Sequence, residues 1–89
     1  MHMKEMYIVS FNSTHHAIRT DKLIGENNIK AVTLPTPREI TASCGISIRF
    51  NYEDTDKIKN ILTENNIEYR GIYNIKKLED GLKEVRQID

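Results

Sequence analysis

Four short stretches of the chain alternate apolar and polar positions, and helical apolar spacing appears between them. In residues 6–11, Tyr7, Val9 and Phe11 share one face; in residues 45–50, Ile46, Ile48 and Phe50 do. A period of two is the signature of a strand with one buried face. Residues 29–34 form a third such stretch. Residues 67–75 form the fourth, with Ile67, Tyr69, Gly71 and Tyr73 expected on one face. Between the last two stretches along the chain lies a different rhythm: Ile58, Ile61 and Leu62 fall at i, i+3 and i+4, the stripe of a helix that buries one side.

The pattern is duplicated. Glu26-Asn27-Asn28-Ile29 recurs as Glu64-Asn65-Asn66-Ile67, an offset of 38 residues. At that offset Leu23 and Ile24 fall on Ile61 and Leu62, Thr20 on Ile58, and Ser13 on Asn51. Ser13 and Asn51 both suit a helix N-cap, and Asp54 adds a variant of the capping-box spacing to the second. Asn-Asn at each helix end supplies a short amide that tolerates the left-handed conformation which stops a helix.

Two β-α-β units with right-handed crossovers most simply interleave into one antiparallel sheet. The expectation is an α+β, ferredoxin-like βαββαβ plait over residues 4–75. Its four strands would stand in the order 4-1-3-2, with both helices on one face. Residues 76–89 are charged and carry Leu78, Leu82 and Val85 at i, i+4 and i+7, which predicts a short helical tail weakened by Gly81. An exposed edge strand would also admit a homodimer.

Composition narrows the functional classes. Lys+Arg and Asp+Glu number 13 each in 89 residues, so the formal net charge is zero. Binding duplex nucleic acid needs many phosphate-neutralising cations, and the four tyrosines lack the signature of a base-stacking sheet. No apolar run reaches the roughly 18–20 residues of a membrane span. One cysteine permits no internal disulfide, which points to a reducing, cytoplasmic setting.

That cysteine lies in the connection Pro35-Thr36-Pro37-Arg38-Glu39-Ile40-Thr41-Ala42-Ser43-Cys44-Gly45, which is long for a hairpin. Pro35 and Pro37 stiffen its first half. Ser43 and Gly45 flank the sulfur with small groups, and glycine allows close approach of a reagent. The expected topology puts the end of the first strand, the start of the first helix and this loop at one sheet edge. Ser13, Thr14, His15 and His16 would then stand near Cys44. A thiolate is favoured by cations and by helix N-terminal amides, so Arg38, His15, His16 and the helix start could lower the thiol's pKa. Ser13 and Thr14, with Pro37, Ser43 and Gly45, would frame that thiol or an anion bound at the helix start.

Each residue also has a plainer reading. Cys44 could be a small buried hydrophobe, His15 and His16 solvated helix-start residues, and Arg38 a surface ion-pair partner of Glu39 or Asp21. No Cys-x-x-Cys or His-x-x-x-His spacing indicates a closed metal site.

At this loop the chain resembles a known family of short bacterial and archaeal proteins, the putative selenium/sulfur carrier protein-like family. The resembling residues are Tyr7-Ile8-Val9-Ser10-Phe11, Ser13-Thr14-His15-His16-Ala17, Pro35-Thr36-Pro37-Arg38-Glu39-Ile40, Ser43-Cys44-Gly45 and Asn65-Asn66-Ile67-Glu68-Tyr69-Arg70-Gly71-Ile72-Tyr73. The resemblance covers about residues 4–75. It implies a non-enzymatic carrier in sulfur or selenium metabolism whose Cys44 holds the chalcogen as a persulfide or selenosulfide. It implies Arg38 as the stabiliser of the sulfur's charge, with His15 and His16 lining the same edge. Donor and acceptor would be a cysteine-desulfurase-type enzyme and a chalcogen-accepting enzyme, and no tightly held cofactor is expected. Other small sulfur carriers have Pro-x-Pro after the cysteine at a helix start; here Gly45-Ile46 follows and a strand begins.

The residues leave other classes open. A small-ligand-sensing or interaction module would make Cys44 structural. A Cys–His enzyme ranks below both, because no third group to orient the histidine is evident. The single cysteine suits a carrier for a physical reason: no resolving thiol is present to close a disulfide and expel the cargo.

Overall fold

Strand β1 (Glu5–Phe11) buries both of its faces towards its C-terminal end, with Val9 and Phe11 on one side and Ile8 and Ser10 on the other. A strand buried on both faces belongs at the centre of a sheet. The computed structural model describes residues 5–37, 40, 45–78 and 81–89 of the chain. The other strands are β2 (Ala31–Pro35), β3 (Ile46–Phe50), β4 (Gly71–Lys77) and β5 (Lys83–Gln87). The helices are α1 (Thr14–Glu26) and α2 (Thr55–Glu64), the second preceded by a 3-10 turn at Tyr52–Asp54.

The sheet order is β2-β3-β1-β4-β5, and every neighbouring pair is antiparallel. Its first four strands stand in the order that two interleaved β-α-β units dictate. Register follows the apolar pattern: Val9 lies opposite Ile48 on one side and Ile72 on the other, all three facing the helices. Ala17 and Ile24 of α1 and Ile58, Ile61 and Leu62 of α2 close over that face. Full burial of an isoleucine or leucine such as Ile58 or Leu62 contributes roughly 1.5–3 kcal/mol. Thr20 occupies the position in α1 that Ile58 holds in α2; it is fully buried, and its hydroxyl donates to the His16 carbonyl at 2.8 Å.

The opposite face has a smaller apolar cluster. Ile8, Tyr73 and Ile75 are buried there, with Met6, Val85 and Ile40 packed against them. Ile40 comes from the long connection between β2 and β3.

Both helices end alike, as their repeated Asn-Asn suggests. Asn28 and Asn66 take left-handed backbone, at φ 58° and 52°. The Ile29 amide donates to the Ile24 carbonyl at 3.1 Å and the Asn28 amide to Gly25 at 3.1 Å. In α2 the Ile67 amide donates to Leu62 at 3.0 Å and the Asn66 amide to Thr63 at 3.3 Å. This pairing is the Schellman arrangement, and the isoleucine after each asparagine packs in the core beside the residue it bonds. Asn27 and Asn65 add side-chain bonds to the Leu23 and Ile61 carbonyls, at 2.7 and 2.8 Å.

Three expectations need correction. Ser13 does occupy the α1 N-cap, but Asn51 caps the 3-10 turn and Asp54 caps α2, and none of these side chains makes a capping bond. The 3-10 turn displaces the second cap by three residues. The fourth strand begins at Gly71 rather than Ile67, because Ile67 is spent on the helix stop and joins the helix-side core. Tyr73 consequently faces away from Ile72 and the helices.

The third correction concerns the C-terminal segment, which is a strand and not a helix. The Leu78 amide donates to the Leu82 carbonyl at 2.8 Å, and Gly81 takes φ +88°, a conformation open to glycine. Val85 then lies opposite Ile75 and packs on the second face, so it finds its apolar contact across a ladder instead of along a helix. Past β5, Ile88 and Asp89 both donate to the Ile72 carbonyl, and the Ile72 amide donates to Asp89 at 3.1 Å. The Tyr69 hydroxyl donates to the Asp89 carboxylate at 2.6 Å.

Two measurements check this fold. Asn28→Ala and Asn66→Ala should each destabilise the protein by about 1 kcal/mol in urea unfolding, because a Cβ without a local hydrogen bond disfavours the left-handed region, while the glycine variants should be close to neutral. The Asp89 hydrogen bond, with burial adding to it, pushes the Tyr69 phenol up to about 12. The protonated phenol is the favoured form in the fold. Its stabilisation is therefore complete below the ordinary tyrosine value near 10 and is lost as pH rises from there to about 12. Ultraviolet titration should show a tyrosine that ionises near 12, returned towards 10 by Asp89→Asn.

Candidate functional site

The sheet edge at which β1 ends is shared by the end of β2 and the start of β3. Phe11 and Pro35 are both opposite Ile46. The Thr36 amide donates to the Gly45 carbonyl at 3.0 Å, which ties together the two ends of the ten-residue loop 36–45. Gly45 is packed closely: a Cβ there would come within 3.1 Å of Thr36 Oγ1 and 3.4 Å of the Phe11 carbonyl. A side chain at this position would push on Thr36, which would have to give by a few tenths of an ångström. Within the loop the Ile40 amide donates to the Pro37 carbonyl at 3.0 Å, a turn that delivers Ile40 to the cluster of Ile8, Tyr73 and Ile75.

Arg38, Ser43 and Cys44, the residues on which the expected thiol chemistry centres, lie outside the described residues. The structure does bring Ser13, Thr14, Pro37 and Gly45 to the one edge, since α1 starts three residues beyond Phe11. His15 and His16 occupy the first turn of α1, with ring centroids 5.8 Å apart and planes tilted by 52°. His15 is exposed and His16 half-buried. Neither ring hydrogen-bonds to a described residue of the loop. Ile40 packs on the face away from α1, so the histidines and this part of the loop lie on opposite sides of the sheet.

Beneath the loop is a group of hydroxyls that sequence reasoning passed over. Ser10 and Ser47 are fully buried and lie opposite each other on β1 and β3. Thr36 Oγ1 lies 2.8 Å from Ser47 Oγ and 3.5 Å from Ser10 Oγ. Hydroxyls can both donate and accept, so Thr36 is the group through which the strand serines are satisfied. A signal was present in the sequence: Ser10 sits between Val9 and Phe11, and Ser47 between Ile46 and Ile48, which marks a small polar spot on the alternate face. Arg70 was also passed over. Its amide donates to the Ser10 carbonyl at 2.7 Å, at the same edge, and its Nε is buried with no hydrogen-bond partner among the described residues.

Among the described residues no three of His, Cys, Asp and Glu gather closely enough to hold a metal ion. No helix among them is long and apolar enough to cross a membrane. The arrangement fits a loop pinned at both ends and seated on a buried polar patch.

With this geometry in place, comparison with known proteins gives one finding. The sequence model of a family described as "Putative Se/S carrier protein-like" matches residues 6–74. No curated protein and no solved structure matches the chain.

The hydroxyl group gives a test of the loop's seating. Thr36→Val should leave Ser47 buried without its partner and cost about 1–3 kcal/mol in chemical unfolding. Ser10→Ala removes a contact at the limit of hydrogen-bond length and should cost less.

Proposed function

We propose, since the chain belongs to the Putative Se/S carrier protein-like family, that it carries sulfur or selenium on Cys44 and passes it to an acceptor enzyme. Family membership is the observation that carries this reading. The match runs through the loop sequence Pro35-Thr36-Pro37-Arg38-Glu39-Ile40 and Ser43-Cys44-Gly45. The chemistry requires few parts. A Cys44 thiolate attacks the terminal sulfur of a donor enzyme's persulfide, the donor's sulfur–sulfur bond breaks, and the donor leaves as a thiolate. Cys44 then holds the persulfide, with no net oxidation in the exchange. An acceptor nucleophile attacks the same outer atom and releases the Cys44 thiolate. Selenium travels by the same steps as a selenosulfide when the donor presents it at the same oxidation level.

The donor in this reading is a cysteine-desulfurase-type enzyme, and the setting is the reducing cytoplasm, where no oxidant competes for the thiol. In this reading Arg38 favours the thiolate by its charge and the first turn of α1, which carries His15 and His16, by its amide donors. The bond between the loop ends at Thr36 and Gly45 supports the reading, because it closes the segment that carries Cys44 at the sheet edge. The sole cysteine supports it as well: no second thiol can discharge the cargo as a disulfide.

Incubation with a cysteine desulfurase and cysteine, followed by intact-mass measurement, tests the proposal. The native protein should gain the mass of one sulfur atom, Cys44→Ser should gain none, and a reducing agent should remove the gain. Equal gain by the variant, or none by either, would refute it.

A further inference from the structure

At the sheet edge opposite the loop, between α2 and β5, lies an open groove of about 430 Å³. It exists because the sheet has a fifth strand. Helices α1 and α2 cover the first face, and β5 extends that face beyond them. The floor is Tyr7 and Asn74, neighbours across β1 and β4. One wall is the 3-10 turn and the first turns of α2, and the other is Arg86 with Ile88. The volume falls within the roughly 300–1,000 Å³ of small-molecule sites.

The charges on these walls are arranged for something other than each other. Glu53, Asp56 and Lys59 line the α2 side and Arg86 the β5 side. None of the four makes an ion pair among the described residues, although Asp54 and Lys57 pair at 3.8 Å one residue away. Asp56 and Lys59 have the same i, i+3 spacing as that pair and could meet on the helix. They do not. Between the walls Tyr7 and Tyr52 stack with ring centroids 5.0 Å apart and planes tilted by 48°. Tyr52 is 67% exposed, a large aromatic face left open to the groove. Burial, with Glu5 and Tyr52 adding to it, pushes the Tyr7 phenol up, so it remains a neutral donor at physiological pH.

We propose that this groove binds a small zwitterion with an aromatic or apolar body, the chemistry of a free α-amino acid. The ammonium faces Glu53 and Asp56, the carboxylate faces Arg86 and Lys59, and the side chain lies along Tyr52 and Ile88. Charge balance selects the class. A simple anion would meet two carboxylates and a simple cation two basic side chains, and only a ligand with both charges satisfies both pairs. The site stands apart from the Cys44 loop and does not depend on the carrier reading.

Amide-resolved NMR titration with L-phenylalanine tests this, with 3-phenylpropionate and 2-phenylethylamine as probes carrying one charge each. Phenylalanine should give saturable shifts at Tyr52, Asp56, Lys59 and Arg86, and each one-charge probe should bind at least ten-fold more weakly. Arg86→Gln should weaken phenylalanine binding about ten-fold and leave phenylethylamine unchanged, and Glu53→Gln/Asp56→Asn should do the converse with phenylpropionate as the unaffected probe. Cys44→Ser should bind phenylalanine as the native protein does, whatever becomes of chalcogen loading. The proposal is overturned if phenylalanine gives no saturable shift, if the shifts lie elsewhere, or if all three probes bind alike. Groove shifts that depend on protein concentration without any probe would assign the groove to a second copy of the chain and overturn it too.

Discussion

The structure depends on the register of β1. This strand is hydrogen-bonded on both sides, Tyr7–Phe11 with β3 and Glu5–Ser10 with β4, and both of its faces are used. A slip of one residue would exchange the faces. Val9 and Phe11 would leave the helix-covered core, and Ile8 and Ser10 would enter it. The loss would not stop at β1. Ser10 would no longer lie opposite Ser47, so the hydroxyl patch under the loop would be broken, and Tyr7 would no longer floor the groove at the other end of the sheet. One strand therefore sets the two surfaces to which function is assigned.

From this register the division of the molecule follows. The first face is a conventional core of two helices on a sheet, built from a duplicated unit whose helices stop in the same Schellman arrangement. Among the described residues no helix covers the second face. Its cluster of Ile8, Tyr73 and Ile75 is buried with the help of Ile40 from the long loop and Val85 from β5. The loop is thus structural as well as chemical, because the segment whose sequence carries Cys44 also supplies an apolar side chain to the sheet. Its two ends are held by the Thr36–Gly45 bond, and its seat is polar, at Ser10 and Ser47.

Much of the first face was legible in the residues. Tyr7, Val9 and Phe11, and Ile46, Ile48 and Phe50, show their period of two directly, and the repeat of Asn27-Asn28 as Asn65-Asn66 located both helix ends. What sequence could not settle was competition between local and distant partners. Ile67 continues an apolar alternation, yet the helix stop claims it first. Leu78, Leu82 and Val85 fit a helical spacing, yet Val85 gains more opposite Ile75, a pairing that depends on the turn at Gly81. The groove was invisible for the same reason, since β5 makes one of its walls. Of the candidate site, the shared edge and the place of Ser13, Thr14, Pro37 and Gly45 came from topology alone. The Thr36 hydroxyl as the link between Ser10 and Ser47 depends on three segments distant in sequence.

The central claim is that Cys44 is a working thiol and not a small apolar filler. The pH dependence of its alkylation in the folded protein tests this most directly. The carrier reading predicts reaction under native conditions, with a midpoint clearly below the ordinary thiol value of about 8.5, since in that reading Arg38 and the helix-start amides favour the thiolate. Alkylation that occurs only at the rate of unfolding, or a midpoint at or above that ordinary value, would contradict it.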